Sequence, residues 1–113
     1  SSGSFDLCLY SNVTSSTGDP LSYLNNAMRS NGELNYGNYS NLEVDMLLDK
    51  MQLEFDIQER NALAEEIVQK VLEDDGYNFI AHLKVSFLMK NNVVGFNAHP
   101  TDYYQFNKDT YIQ

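Results

Sequence analysis

Apolar residues recur along this chain at two different spacings, and the change from one to the other divides it. Leu21, Leu24, Ala27 and Met28 fall three or four residues apart, which places their side chains on one face of a helix. Asp19-Pro20 stands ahead of them, a carboxylate able to accept from orphan N–H groups and a proline suited to the first helical position. Asn31-Gly32 follows as a stop. Val44, Leu47, Leu48 and Met51 repeat the spacing behind Ser40 and Glu43, which stand as a capping box does. Asp56 and Glu59 give a third start, and Leu63, Ala64, Ile67, Val68 and Val71 form a broad stripe that runs towards Asp74-Asp75-Gly76. Helices are expected over residues 20–30, 41–53 and 57–73.

Elsewhere the period is two or the runs are short and β-rich. Phe5, Leu7 and Leu9 alternate with other residues, which predicts a strand over 5–10 leading into a polar loop at 11–18. After Tyr77, the runs Phe79-Ile80-Ala81, Val85-Ser86-Phe87-Leu88-Met89 and Val93-Val94-Gly95-Phe96 are separated near residues 82–84 and at Asn91-Asn92. Two or three strands are expected between 78 and 96. Residues 97–113 are polar and aromatic with no steady period, as in an arm that needs a surface to lie on, and residues 1–4 read as a cloning remnant. The class is α+β (α/β-like), three helices packed on one face of a small mixed sheet.

Composition narrows the choice of partners. The 113 residues are 42% hydrophobic and 20% charged, which suits a folded domain. Seven basic residues against sixteen acidic ones give a net charge of −9. The summed field repels phosphate backbones, and the scattered lysines and arginines are not interleaved with stacking aromatics, so nucleic acid is not an expected partner. The acidic residues Glu65, Glu66, Glu73, Asp74 and Asp75 read as a solvated face. Cys8, the single cysteine, lies in an apolar run and is expected to be a small buried hydrophobe. No stretch approaches the ~20 apolar residues of a membrane span.

Catalytic signatures are missing. The sequence holds no GxSxG, no glycine-rich phosphate loop, no paired Cys and His and no HExxH, so an enzyme is not expected. His82 and His99 are the two imidazoles that could bind a soft metal, but no HxH or HxxxH spacing brings them onto one element. Metal ligands and ordinary packing or surface histidines both remain open for them. Asp19 is read as a helix cap rather than a carboxylate facing a ligand.

The order of these signals resembles the last part of family 5 extracellular solute-binding proteins, the receptors of peptide and nickel ABC importers. The residues that carry the resemblance are Phe5-Asp6-Leu7, Gly18-Asp19-Pro20 with Tyr23-Leu24, and Tyr39-Ser40-Asn41 leading into Val44-Asp45. They continue with Asp56-Ile57-Gln58-Glu59-Arg60 and Val94-Gly95-Phe96. The stretches His82-Leu83-Lys84-Val85-Ser86-Phe87 and His99-Pro100-Thr101-Asp102-Tyr103-Tyr104 look more like nickel-type than oligopeptide-type members. The resemblance implies a two-lobed periplasmic-binding-protein-like fold, with residues 5–96 forming part of the C-terminal lobe and 97–113 returning towards the other. It implies a cleft-facing loop carrying Asn12, Thr14, Ser15, Ser16 and Thr17, although the tryptophan and aspartate of oligopeptide receptors are missing there. The implied ligand is nickel, as a small chelate, or a short peptide, with no resident cofactor. The implied partners are the ABC permease subunits and the remaining lobe, and the implied location is extracytoplasmic, in the periplasm or as a cell-surface lipoprotein. A self-contained protein-interaction module without a transport role is the alternative.

Overall fold

The computed structural model describes residues 5–12, 18–81, 84, 86–98 and 106–113. They divide into two compact units, Ser1–Phe79 and Ile80–Gln113. The first unit holds α1 (Leu21–Met28), α2 (Leu42–Leu53) and α3 (Ile57–Glu73). The second holds β1 (Val93–Val94) and β2 (Tyr111–Ile112). The α+β class holds, and all three helices form within two residues of their expected ends.

Local chemistry explains the helix ends. At α1, one carboxylate oxygen of Asp19 accepts from the Leu21 N–H at 2.8 Å, and Pro20 already has helical φ and ψ. The helix ends at Met28, and the chain doubles back so that the Leu34 N–H reaches the Asn26 carbonyl at 2.8 Å. A side chain at Gly32 would strike that same carbonyl oxygen, so glycine is required at this close approach. At α2 the cap is Asn41 rather than Ser40. Asn41 has the extended φ and ψ of a cap residue and accepts from the N–H groups of Glu43 at 2.8 Å and Val44 at 3.3 Å. Ser40, one residue too early, donates to the Ser30 hydroxyl instead. Asp56 caps α3 as expected, taking the Gln58 and Glu59 N–H groups.

The C-terminus of α3 closes in a Schellman motif, with Gly76 N–H on the Val71 carbonyl at 3.0 Å and Asp75 N–H on Leu72 at 3.2 Å. Asp75, not Gly76, takes the left-handed conformation, at φ 54°. Gly76 is needed for a different reason: a Cβ there would lie 2.5 Å from the Tyr39 ring.

Each helix contributes three buried apolar side chains to one core: Leu24, Ala27 and Met28, then Val44, Leu48 and Met51, then Leu63, Ile67 and Val71. Leu21, Leu47, Ala64 and Val68, also expected in the core, are partly buried against it. The two α2–α3 termini are tied at both ends. Lys70 pairs with Glu43 at 2.7 Å, and Arg60 donates to the carbonyls of Met51 at 2.7 Å and Glu54 at 2.8 Å, so the helices run antiparallel. The helical core is completed by Leu34, Tyr39 and Tyr77.

The strand expectations need correction. Residues 5–10 form no strand and are exposed, Leu7 by 93%, and Cys8 is exposed rather than buried. Alternation alone cannot hold a strand, because its N–H and C=O groups need a paired ladder, and among the described residues none reaches this run. Among the described residues of 78–89 there is no strand either. Among the described residues the sheet is a two-stranded antiparallel ladder, Val93 opposite Ile112 and Val94 opposite Tyr111, so its second strand comes from the tail, beyond the 78–96 span in which the strands were expected. Gln113 extends the ladder by donating to the Asn92 carbonyl at 2.8 Å. Gly95, at φ 74°, sits against the Asp109 carbonyl where no Cβ would fit. Phe87, Phe96 and Phe106 make edge-to-face contacts at 5.3 and 6.0 Å beside the ladder.

Two substitutions test this core. Ile67 is fully buried, so Ile67→Ala should cost about 2–4 kcal/mol in urea unfolding; an unchanged midpoint would place Ile67 outside the core. Asn35, buried and fully hydrogen-bonded within the α1–α2 connector, should cost about 2–3 kcal/mol on change to alanine, because backbone groups it serves lose their partner. Asn35→Asp should not rescue the loss, since a carboxylate cannot donate.

Candidate functional site

Of the residues expected to face a ligand, Asn12 is described, and it is exposed. Thr14, Ser15, Ser16, Thr17, His82 and His99 lie outside the described residues. The structure therefore shows the chain on either side of the polar run. On the N-terminal side, the Tyr10 ring meets the Tyr36 ring edge-to-face at 5.2 Å. On the C-terminal side, Gly18 takes φ 81° in open space, a left-handed turn that delivers the chain into Asp19.

Asp19 does more than begin α1. Its first carboxylate oxygen takes the Leu21 N–H, and its second takes the Arg60 guanidinium. Arg60 is mostly buried and serves three groups at once: two carbonyls at the end of α2 and the carboxylate ahead of α1. A planar fork with five donors can do this, and an ammonium cannot. Gly18, Asp19, Pro20, Ile57, Arg60 and Asn61 line a hollow of about 200 Å³. The Asp19–Arg60 pair spans 41 residues, so no spacing in the sequence announces it. The presence of Arg60 inside the Asp56-to-Arg60 motif was the available signal.

A second polar centre organises the connector between α1 and α2. The Asn35 amide donates to the carbonyls of Arg29 at 2.9 Å and Tyr39 at 2.7 Å and accepts from the Tyr39 N–H at 2.9 Å. Tyr39 in turn donates its hydroxyl to Asp74 at 2.7 Å, beside the Asn41 amide at 2.6 Å. Asp45 accepts from the Ser30 N–H and hydroxyl, at 3.0 and 2.6 Å, and Arg29 reaches Asp49 at 2.6 Å. Tyr77 donates to the Ala27 carbonyl at 2.6 Å and lies edge-on to Tyr39. Asp74, expected to be a solvated charge, is the acceptor on which α2's cap residue and the connector converge.

Comparison with known proteins gives this geometry a context. No protein-family model matches the chain. Over 109 residues it is 26% identical to the nickel-binding protein NikA of Staphylococcus aureus, a match covering 96% of this chain and 22% of that protein. The crystal structure of Staphylococcus aureus NikA in complex with Ni(L-His)2 superposes with a TM-score of 0.67 at 21% identity, covering 88% of this chain and 22% of that one. The chain shares the fold of a segment of NikA. The resemblance read from the sequence is borne out by the sequence match and by the fold, and this chain spans about a fifth of the length of the relative.

No group of three or more His, Cys, Asp or Glu side chains that could hold a metal ion occurs among the described residues. No helix among them is long and apolar enough to cross a membrane.

The Tyr39–Asp74 contact has a pH signature. Burial, and then donation to Asp74, push the Tyr39 hydroxyl from 10.0 up to about 12. The Asn41 amide, and then the Tyr39 hydroxyl, hold the Asp74 carboxyl below its ordinary 3.8. A raised folded value stabilises fully below the unfolded value, so the Tyr39 contribution is complete below about pH 10 and is lost towards pH 12. The Asp74 contribution is present above 3.8 and is lost on acidification below it. Tyr39→Phe should therefore flatten the fall of the thermal midpoint between pH 10 and 12. The slope left over belongs to Tyr10, Tyr23 and Tyr77, which burial also raises, and to Lys70, which its hydrogen bond to Glu43 raises. A slope equal to that of the unaltered chain would remove Tyr39 from the account.

Proposed function

We propose that the chain is part of a substrate-binding receptor of the peptide/nickel importer family, a ligand carrier rather than an enzyme. Its cargo is nickel held in a small chelate, delivered to ABC permease subunits at the membrane from an extracytoplasmic position. The observation that carries this reading is the joint match, in sequence over 96% of the chain and in fold at a TM-score of 0.67, to a nickel-binding protein that holds Ni(L-His)2.

The chemistry of the polar run supports a chelate over a bare ion. An amino-acid chelate supplies the metal's nitrogen and oxygen ligands itself, so its receptor needs hydrogen-bonding groups for carboxylates and amines. Asn12, Thr14, Ser15, Ser16 and Thr17 are of this kind. The run also lacks an acidic side chain, the group that would capture the amino terminus of a peptide. In this reading residues 5–96 form part of the C-terminal lobe and 97–113 return towards the other lobe. His82 and His99 are the imidazoles of this chain that could add a direct nickel bond.

Both lobes of such a receptor close on the ligand, so the cleft is incomplete in these 113 residues. Isothermal titration should show no micromolar binding of free nickel, Ni(L-His)2 or a mixed peptide pool by the chain itself. A two-lobed receptor that contains the chain should bind Ni(L-His)2 in preference to the peptides. Preference for peptides would overturn the nickel assignment. Tight binding of free nickel by the isolated chain would place the site within it and make His82 and His99 its leading ligands.

A further inference from the structure

The connector between α1 and α2 holds Asn31-Gly32, the one asparagine of the chain that is followed by glycine. This pairing carries a reaction of its own. The glycine backbone nitrogen loses its proton and attacks the side-chain amide carbon of the asparagine, ammonia leaves, and a cyclic imide forms. Water then opens the imide to aspartate or to isoaspartate, in which the backbone runs through the former side chain. Glycine eases the attack because it has no Cβ to obstruct the approach. The Asn31 side chain is exposed and makes no hydrogen bond to another described residue, so its amide carbon is open to the reaction.

The nucleophile is not open. Gly32 N–H donates to the Arg29 carbonyl at 2.9 Å and closes a tight turn over Ser30 and Asn31. A nitrogen held in this way keeps its proton and faces the carbonyl rather than the neighbouring amide. The turn is itself held from two sides. Ser30 gives its N–H and hydroxyl to Asp45, at 3.0 and 2.6 Å. Asn35 gives its N–H to the Gly32 carbonyl at 3.1 Å and its amide to the Arg29 carbonyl at 2.9 Å.

We propose that Asn31 is a deamidation site gated by the connector: slow while Gly32 is held, fast once the turn opens. The site stands whether or not the chain carries nickel. The same contacts make the change one-way. Isoaspartate lengthens the backbone by one carbon immediately ahead of Gly32, where even a Cβ would strike the carbonyl oxygens of Asn25 and Asn26. The lengthened connector cannot restore both the turn onto Arg29 and the Leu34 contact with the Asn26 carbonyl. Deamidation also adds a negative charge to a chain already at −9.

The test follows residue 31 of the 113-residue chain by peptide mass mapping and by enzymatic methylation of isoaspartate. A capped peptide of residues 29–34 gives the ungated rate. The chain should deamidate about tenfold or more slowly than the peptide, because only the open fraction reacts. Asp45→Ala releases Ser30 without touching the apolar core, and should raise the rate several-fold with unchanged helical circular dichroism. Asn35→Ala should raise it further, towards that of the peptide; where Asn35→Ala does not fold, Asp45→Ala decides. The isolated isoaspartate product should lose thermal stability, whereas Asn31→Asp, which has the charge without the extra carbon, should keep the parent midpoint. A chain that reacts as fast as the peptide overturns the proposal. A slow rate that neither folded variant changes also overturns it, since the gate would then lie outside the connector. An Asn31→Asp chain as unstable as the isoaspartate product overturns the one-way step by assigning the damage to charge.

Discussion

Every buried amide must find a partner, and in this chain that demand falls on a few side chains at the helix ends. Three short helices create many unpaired N–H and C=O groups relative to the core they enclose. Asn35 answers for the α1–α2 connector, Arg60 for the end of α2, Asn41 and Asp56 for two helix starts. The nine apolar side chains of the core can meet only because the helices are set at these ends. Without Asn35 the carbonyls of Arg29 and Tyr39 would lose their partner, and without Arg60 the last turn of α2 would lie open beside α3.

Features decided within a few residues were legible in the sequence. The stripes on α2 and α3 and the Asp56 cap depend on neighbours three or four positions away, and the structure places them as expected. The Ser40 expectation failed by one residue because Ser40 and Asn41 are both good cap residues and the choice depends on backbone angles. Asn35, Arg60 and Asp74 were illegible for a different reason: their partners are set by how the helices fold back on one another. The strand expected from Val93 forms, whereas those expected at 5–10 and 78–89 do not among the described residues, because a short ladder is a property of two segments. Val93–Val94 became a strand by meeting Tyr111–Ile112, whereas the alternating run at 5–10 meets no partner strand among the described residues.

The candidate site shows the same division. Asn12 and the hydroxyls at 14–17 were picked out by chemistry and by resemblance, and Asn12 is the one of them among the described residues. The Asp19–Arg60 pair ahead of α1 was named in the sequence only as a helix cap and a motif arginine. In a solute receptor of the proposed kind a chelate is recognised by several weak hydrogen bonds whose sum is small unless their donors are held in register.

The Schellman turn at the end of α3 has a bearing on how the protein ages. Asp75-Gly76 is a sequence prone to spontaneous isomerisation, in which the glycine amide nitrogen loses its proton and attacks the aspartate carboxyl carbon, water leaves, and a succinimide ring closes that later hydrolyses. That nitrogen is held here by its hydrogen bond to Val71 at 3.0 Å, and the space around Gly76 is filled by the Tyr39 ring. The ring closure has to wait until the helix end opens. The contacts that hold the connector and the three helices together thus also govern the chemical lifetime of the chain.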